Sequence, residues 1–269
     1  MNRITRYIVL TLVACLIIFP LLWIAVSSFK PQSELFIYPP KLLPMRPTVQ
    51  NYVESLKYGD WLLFFLNTCF VAVVRTLLMV VINTMAGYAL SKFIFRGRDA
   101  IFYSMIATLM IPLQVIMVPI FLLLKSLGML NTLWGIIIPP SATPTGVFLT
   151  RQYMLNIPNS MIEAARIDGG GEWFIFRRII FPLSQPIVAT VGIFSFMWSW
   201  NDFLWPFIVI STSKLNTLQL ALANFVGQYQ INWGSLLAMT VITMIPMILV
   251  FVLFQRYFIR GMIAASVKF

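Results

Sequence analysis

Apolar residues along this chain gather into long runs separated by shorter polar segments. Six runs reach the length of about 20 residues that a helix needs to cross the hydrocarbon core of a bilayer. They cover residues 7–29, 61–91, 100–124, 133–153, 183–210 and 235–258. The pattern predicts an all-α membrane protein of six transmembrane helices in a single transmembrane domain over residues 1–269. The second run is long enough to tilt or to project beyond the bilayer. Pro20, Pro112, Pro119, Pro139, Pro140, Pro144 and Pro246 interrupt several of the runs. Such prolines are tolerated where neighbouring helices satisfy the freed carbonyls, and they favour a bundle with a shaped interior. Arg3 and Arg6 precede the first run, as in a signal peptide. Its apolar stretch is far longer than the usual 7–15 or so residues, and no A-x-A site follows. It reads as a retained first helix.

Composition supports lipid as the solvent for much of this surface. The 269 residues are 60% hydrophobic and 10% charged, against about 25% charged in a typical soluble domain. The net charge of +11 comes without any basic run or nucleic-acid motif. It fits the gathering of Lys and Arg on the cytoplasmic side of membrane proteins, and no nucleic-acid partner is expected. Cys15 and Cys69 lie inside apolar runs, and the chain has no His. A metal site or a Cys/His nucleophile is therefore not expected, and both cysteines read as packing residues. No GxxxxGK[ST] occurs, so the chain carries no P-loop of its own.

Orientation follows from the basic residues. With the N-terminus inside, twelve of the 19 Lys and Arg fall on the inner side, among them Arg96, Arg98, Arg151, Arg166, Arg177 and Arg178. Six fall in outer loops, and Arg75 lies within the second run. This bias predicts that both termini are cytoplasmic. The first outer loop, about 30–60, is rich in proline. The loop at about 154–182, between the fourth and fifth runs, is then cytoplasmic.

That loop carries the strongest local signal. It reads NIPNSMIEAARIDGGGEWFIFRRIIFP. Ser160 and Glu163 have the S-x-x-E spacing of a capping box, with Pro158 just before. Gly169, Gly170 and Gly171 stop the helix, since Gly suits the left-handed C-terminal position. The spacing predicts a helix of about two turns over 161–168. A helix that short is not stable alone, which suggests docking, and Ala164 and Ala165 would allow close approach. The residues themselves leave open an ordinary capped connector.

The same residues resemble the EAA signature of ABC importer permeases, E-A-A-x3-G-x9-I-x-L-P. Glu163, Ala164, Ala165, Gly169, Ile179 and Pro182 stand at matching positions, and Phe181 replaces the usual Leu. Over nearly the whole chain the resemblance is closest to the carbohydrate-uptake branch, in particular its smaller maltose-type permease subunit. Supporting segments are Gly87 to Ser91, Trp200 to Phe203 and the tail Arg260 to Lys268. The resemblance implies the type I ABC importer transmembrane fold and a prokaryotic inner (cytoplasmic) membrane. It implies three kinds of partner: a second permease subunit, a dimeric cytoplasmic ATPase and an extracytoplasmic solute-binding protein. ATP and Mg would be used by the ATPase, with no cofactor on this chain. The loop would be the coupling helix, with Glu163, Ala164, Ala165, Asp168 and Gly169 at the ATPase groove. The tail at 260–269 would reach between the ATPase subunits. Solute would pass by alternating access.

Charge within a span is costly and points to function. Arg75 and Asp202 are such charges, with Asn67, Asn83, Gln114 and Asn201 as neutral polar neighbours. Sugars are bound by aromatic faces together with amide and carboxylate groups. Trp198, Trp200, Asn201, Asp202 and Trp205 supply those types, so Arg75, Trp200, Asn201 and Asp202 are candidates for the solute pathway. The bland alternative is that Asn201 and Asp202 hold helices together and Trp205 anchors an interface. Two other functions compete. A stand-alone secondary transporter or channel would need its own coupling-ion site, and no set of membrane carboxylates offers one. A membrane enzyme would need acid–base groups, which are nearly absent. Sugars, polyols and glycerol-phosphate-type solutes all remain open.

Overall fold

The computed structural model describes residues 3–223, 225–226 and 231–266, with side chains up to Gln255. The principal helices are α1 (Arg3–Ser27), α2 (Trp61–Lys92), α3 (Arg98–Ala107), α4 (Leu113–Ser126), α5 (Pro144–Leu155), α6 (Asn159–Ile167), α7 (Gln185–Trp200) and α8 (Trp233–Ser266). Among the described residues there is no strand, only one isolated antiparallel bridge between Val226 and Ile231.

Among the described residues, three helices are long and apolar enough to cross a membrane: α1, α2 and the Trp233–Gln255 part of α8. The count reaches five if two bent pairs each serve as one span: Arg98–Met110 with Leu113–Ser126, bent by 107°, and Glu172–Leu183 with Gln185–Trp200, bent by 79°. The sequence reading of six runs is thus met by fewer continuous helices, and proline is the reason. Ile111 precedes Pro112 and is extended, with φ −90° and ψ 116°, as steric contact with the proline ring demands. The run at 133–153 forms Leu133–Ile137, a 3-10 turn at Pro139–Ser141 and then α5, which starts at Pro144. Each proline lacks the N–H that a continuing helix requires.

Contacts divide the chain into two compact units, residues 1–65 with 218–249, and residues 66–217 with 250–269. In the first, α1 exposes apolar side chains on all sides, from Ile8 to Leu22, as a helix in lipid or against another chain does. The 30–60 loop is tightly knit. Asn51 Nδ2 donates to the carbonyls of Ser28 and Lys30, both at 2.8 Å. The Glu34 carboxylate accepts the Met45 and Arg46 amides. Lys30 Nζ lies 4.4 Å from the Trp23 ring centroid and donates to the Lys41 carbonyl. Trp61 stacks on Phe225 at 5.6 Å and donates to the Ser55 carbonyl.

In the second unit α2 and α5 pack at close range. Asn83 binds Thr143 through both its amide oxygen and its nitrogen, and Thr150 Oγ1 donates to the Asn83 carbonyl at 2.8 Å. Small residues permit this approach. A Cβ on Gly87 would lie 2.2 Å from Thr150 Oγ1 and 3.0 Å from the Arg151 backbone nitrogen. Gly87→Val is expected to destabilise by about 1–3 kcal/mol through overpacking. The unfolding midpoint in detergent measures this. Gly192→Ala, whose Cβ would meet only Val80 at 3.5 Å, should not lower the midpoint and should raise it slightly, since Ala is the better helix former.

The backbone of α8 continues through the tail to Ser266. The tail's expected contact surface lies outside the described residues, because side chains beyond Gln255 and all of Val267, Lys268 and Phe269 are not described.

Candidate functional site

Two constellations stand out, both in the second unit: the 154–182 loop and a buried ion pair. In the loop, α6 begins at Asn159, with Pro158 as N-cap and no side-chain cap. The expected capping box of Ser160 and Glu163 does not form, and the helix starts earlier than the spacing indicated. Pro158 explains both. Its φ of −61° and ψ of 133° suit the residue before a helix, so Ser160 falls inside the first turn, where its hydroxyl no longer faces a free N–H of the following turn.

The stop forms as the glycines indicate. Gly169 has φ +83°. Its amide donates to the Arg166 carbonyl at 3.0 Å, and the Gly170 amide donates to the Ala165 carbonyl at 2.8 Å. These two bonds are a Schellman motif. A Cβ on Gly169 would meet nothing within 4 Å, whereas one on Gly170 would lie 2.8 Å from the Ala165 carbonyl oxygen. Positive φ thus selects glycine at the first position and close approach selects it at the second.

One side of α6 belongs to the body of the unit. Ile162 and the half-buried Ala165 pack with Tyr88, Met154, Ile157, Ile175, Phe176 and Ile180. Burying an Ile side chain contributes about 1.5–3 kcal/mol, which a nine-residue helix needs because it is too short to persist alone. Polar contacts add to this. Lys92 Nζ, at the end of α2, donates to the Ile157 carbonyl and to Asn159 Oδ1. Tyr88 donates to Glu172 Oε2 at 3.1 Å, and Arg166 Nε donates to Glu172 Oε1 at 2.8 Å. The hydrogen bond to the Glu172 carboxylate pushes the Arg166 guanidinium pKa up, outweighing the opposing cost of desolvation.

The other side of α6 is open. Glu163, Ala164 and Asp168 are exposed, and Ile167 is 86% exposed. Of the loop residues singled out from the sequence, Glu163, Ala164 and Asp168 therefore share the open side, Ala165 turns toward the core, and Gly169 ends the helix. The sequence reading missed Lys92 and Glu172 as partners of the loop. Their contacts span 67 and 84 residues of sequence, so no local signal was available for them.

The second constellation joins α2 to the end of α7. Arg75 Nη1 lies 2.7 Å from Asp202 Oδ2, with the side chains 8% and 17% exposed. Asp202 Oδ1 also accepts the Trp205 amide at 3.2 Å, at the start of the short helix Leu204–Val209. Trp205 Nε1 donates to the Gly135 carbonyl. Arg75 Nε is buried with no hydrogen-bond partner among the described residues. Trp200 lies in the interior, 2% exposed, its ring stacked on Phe196. Asn201 is exposed, and its Nδ2 donates to the Met197 carbonyl. Of the four residues proposed for a pathway, Arg75 and Asp202 are paired, Trp200 is buried and Asn201 is exposed. A small cleft lies between α5 and α7, lined by Thr143, Thr145 and Leu149 on one side and Phe194, Ser195 and Trp198 on the other. Trp198 stacks on Phe194 at 5.9 Å and is 48% exposed. The hydroxyls of this cleft had not been singled out, since Thr and Ser inside spans are common.

The chain is thus a helical membrane protein with a charge pair buried between helices and one loop helix half built in and half left open. Residues 83–264 match the family described as binding-protein-dependent transport system inner membrane component. The chain belongs to this family and is a multi-pass inner-membrane protein, a permease component of an ABC transporter. It is 36% identical over 262 residues to the arabinooligosaccharides transport system permease protein AraQ of Halalkalibacterium halodurans, covering 95% of this chain and 93% of that protein. It is 31% identical to the sn-glycerol-3-phosphate transport system permease protein UgpE of Brucella abortus, covering 97% and 96%. A solved structure of a bacterial ABC transporter involved in import of the acidic polysaccharide alginate has a chain that superposes with TM-score 0.83 at 25% identity, covering 96% of this chain and 99% of that one.

Proposed function

We propose that this chain is one permease subunit of an ATP-driven importer, forming half of the pathway for a sugar or related solute by alternating access. The observation that carries the proposal is α6: its inner side is locked to α2 while Glu163, Ala164, Ile167 and Asp168 are left open. That open side is the docking face for a cytoplasmic ATPase. ATP and Mg are used on that ATPase, and no cofactor is assigned to this chain. A second permease subunit completes the pathway, and an extracytoplasmic binding protein delivers solute. ATP and the loaded binding protein supply the differential affinity that moves the two-state equilibrium. Residues 1–269 act as one permease domain with the type I importer transmembrane fold. It has six spans, the broken runs at 133–153 and 183–210 included, with both termini in the cytoplasm of a prokaryotic cell. Arg75, Trp200, Asn201 and Asp202 lie along the pathway. The names of the relatives, which include an oligosaccharide and a glycerol-phosphate permease, support a sugar-like solute. A stand-alone carrier is disfavoured because the intramembrane carboxylate Asp202 is already engaged by Arg75.

The test is to purify the tagged chain from its own cells. A stoichiometric ATPase and a binding protein with retained sugar are expected, and a chain that purifies alone refutes the reading. Topology is tested separately by single-cysteine labelling of intact cells. A membrane-impermeant maleimide should reach cysteines placed at 31–60 and fail to reach those at 154–182. Labelling of the latter from outside would invert the orientation and remove the docking argument.

A further inference from the structure

Helix α2 differs from the other long helices. Its 32 residues contain no proline, whereas α1, α4 and α8 carry Pro20, Pro119 and Pro246 within them. At 1.5 Å per residue α2 is about 48 Å long and has none of the usual causes of a sharp kink at proline. Its last turns hold both ends of α6. Lys92 binds the Ile157 carbonyl and Asn159 Oδ1 at the start. Tyr88 reaches the far end through Glu172, which also binds Arg166. Between these two points Tyr88 packs in one cluster with Ile157, Ile162 and Phe176. Further along the same helix, about 20 Å away, Arg75 grips Asp202 at 2.7 Å.

We infer that α2 is the lever of the permease: Lys92 and Tyr88 are positioning residues that bind α6 to α2 as one rigid body, so that displacement of the docked helix reaches the Arg75–Asp202 pair. This rests on the importer reading above. The physical reason is that a helix of nine residues has little internal stability. If pushed by a docked protein, it would tilt on its loop unless clamped at both ends. One clamp alone leaves a pivot, and two fix its direction. Packed elements of this kind move between discrete arrangements and do not deform continuously.

The experiment uses the assembled complex in nanodiscs. Cys15→Ser and Cys69→Ser remove the native thiols, and spin labels at Met85→Cys and Ser160→Cys report the distance between α2 and α6. In the parent complex this distance is expected to be the same without nucleotide and after ATP–vanadate trapping. In Lys92→Met/Tyr88→Phe, trapping should change it while the ATPase remains bound in unchanged stoichiometry. Stimulation of ATP hydrolysis by the loaded binding protein should fall at least about tenfold, the scale of losing one hydrogen bond to a charged group, because the double variant loses the bonds from Lys92 and Tyr88 together. Lys92→Arg, which can serve both acceptors, should retain the parent behaviour. The inference is overturned by a distance that already changes in the parent. It is also overturned by unchanged distance and stimulation in the double variant, or by loss of the ATPase from that variant, which would limit these residues to folding the loop. Failure of the importer reading is seen separately, as absence of any ATPase from the unsubstituted complex.

Discussion

Asp202→Ala is expected to be among the most damaging single changes in the membrane part of the chain. It leaves the Arg75 guanidinium buried without its counter-charge, and the cost of breaking such a pair from one side is about 3–5 kcal/mol. Arg75 Nε already lacks a partner among the described residues, so no second acceptor stands ready. The change also removes the oxygen that accepts the Trp205 amide, a hydrogen bond to a charged group worth a further ~1.5–3 kcal/mol. Membrane level, unfolding midpoint and uptake should all fall. Arg75→Leu should be milder in stability, because Asp202 keeps the Trp205 amide and is the more exposed of the two. The double change Arg75→Leu/Asp202→Leu separates structure from transport. Recovered stability with uptake still lost places the pair in the working cycle, and recovery of both reduces it to a helix tie.

Gly170→Val should have the other large effect, at the opposite end of the mechanism. Its Cβ would meet the Ala165 carbonyl oxygen at 2.8 Å and Phe174 Cδ1 at 3.2 Å, so the bond from Gly170 to Ala165 that closes the helix cannot persist. Overpacking of this kind costs about 1–3 kcal/mol, which is roughly a 5- to 150-fold loss in the population of the docking-competent loop. ATPase co-purification and uptake should fall together. Gly169 provides the control. Space around it is open, and Asn tolerates positive φ, so Gly169→Asn should keep most activity. Gly169→Val, forced to the left-handed region at about 1–2 kcal/mol, should not.

Much of this arrangement was legible from residue order, and the failures have physical causes. The outline of α1, α2 and α8 follows from apolar length alone, because lipid demands it. The stop at Gly169 was legible because positive φ leaves few choices of residue. The capping box was misread because S-x-x-E also occurs within the first turn of a helix, and only the backbone at Pro158 shows where that turn begins. The prolines flagged the interrupted runs, but apolar content says nothing about direction, so the size of each bend was not legible. Pro112 and the prolines from 139 to 144 turn the chain without making it polar. Arg75 and Asp202 could each be flagged as costly in lipid, yet their pairing spans 127 residues, and no local pattern announces a contact at that range. The clamp on α6 was hidden for the same reason, since Lys92 and Glu172 look like ordinary solvated charges until the loop folds back.

The span of that ion pair has a consequence for how the protein is made. Arg75 leaves the ribosome 127 residues before Asp202. At a synthesis rate of about 5–20 residues per second, this is an interval of roughly 6–25 s. During it, α2 must be placed in or beside the bilayer with a cation whose counter-charge does not yet exist. The nascent chain therefore needs a temporary shelter for Arg75, in the insertion machinery or at the lipid headgroups, until α7 arrives. Variants that keep Arg75 but lack Asp202 would leave that sheltered stage slowly, so quality control during biogenesis, before any transport cycle begins, is where their loss should first be seen.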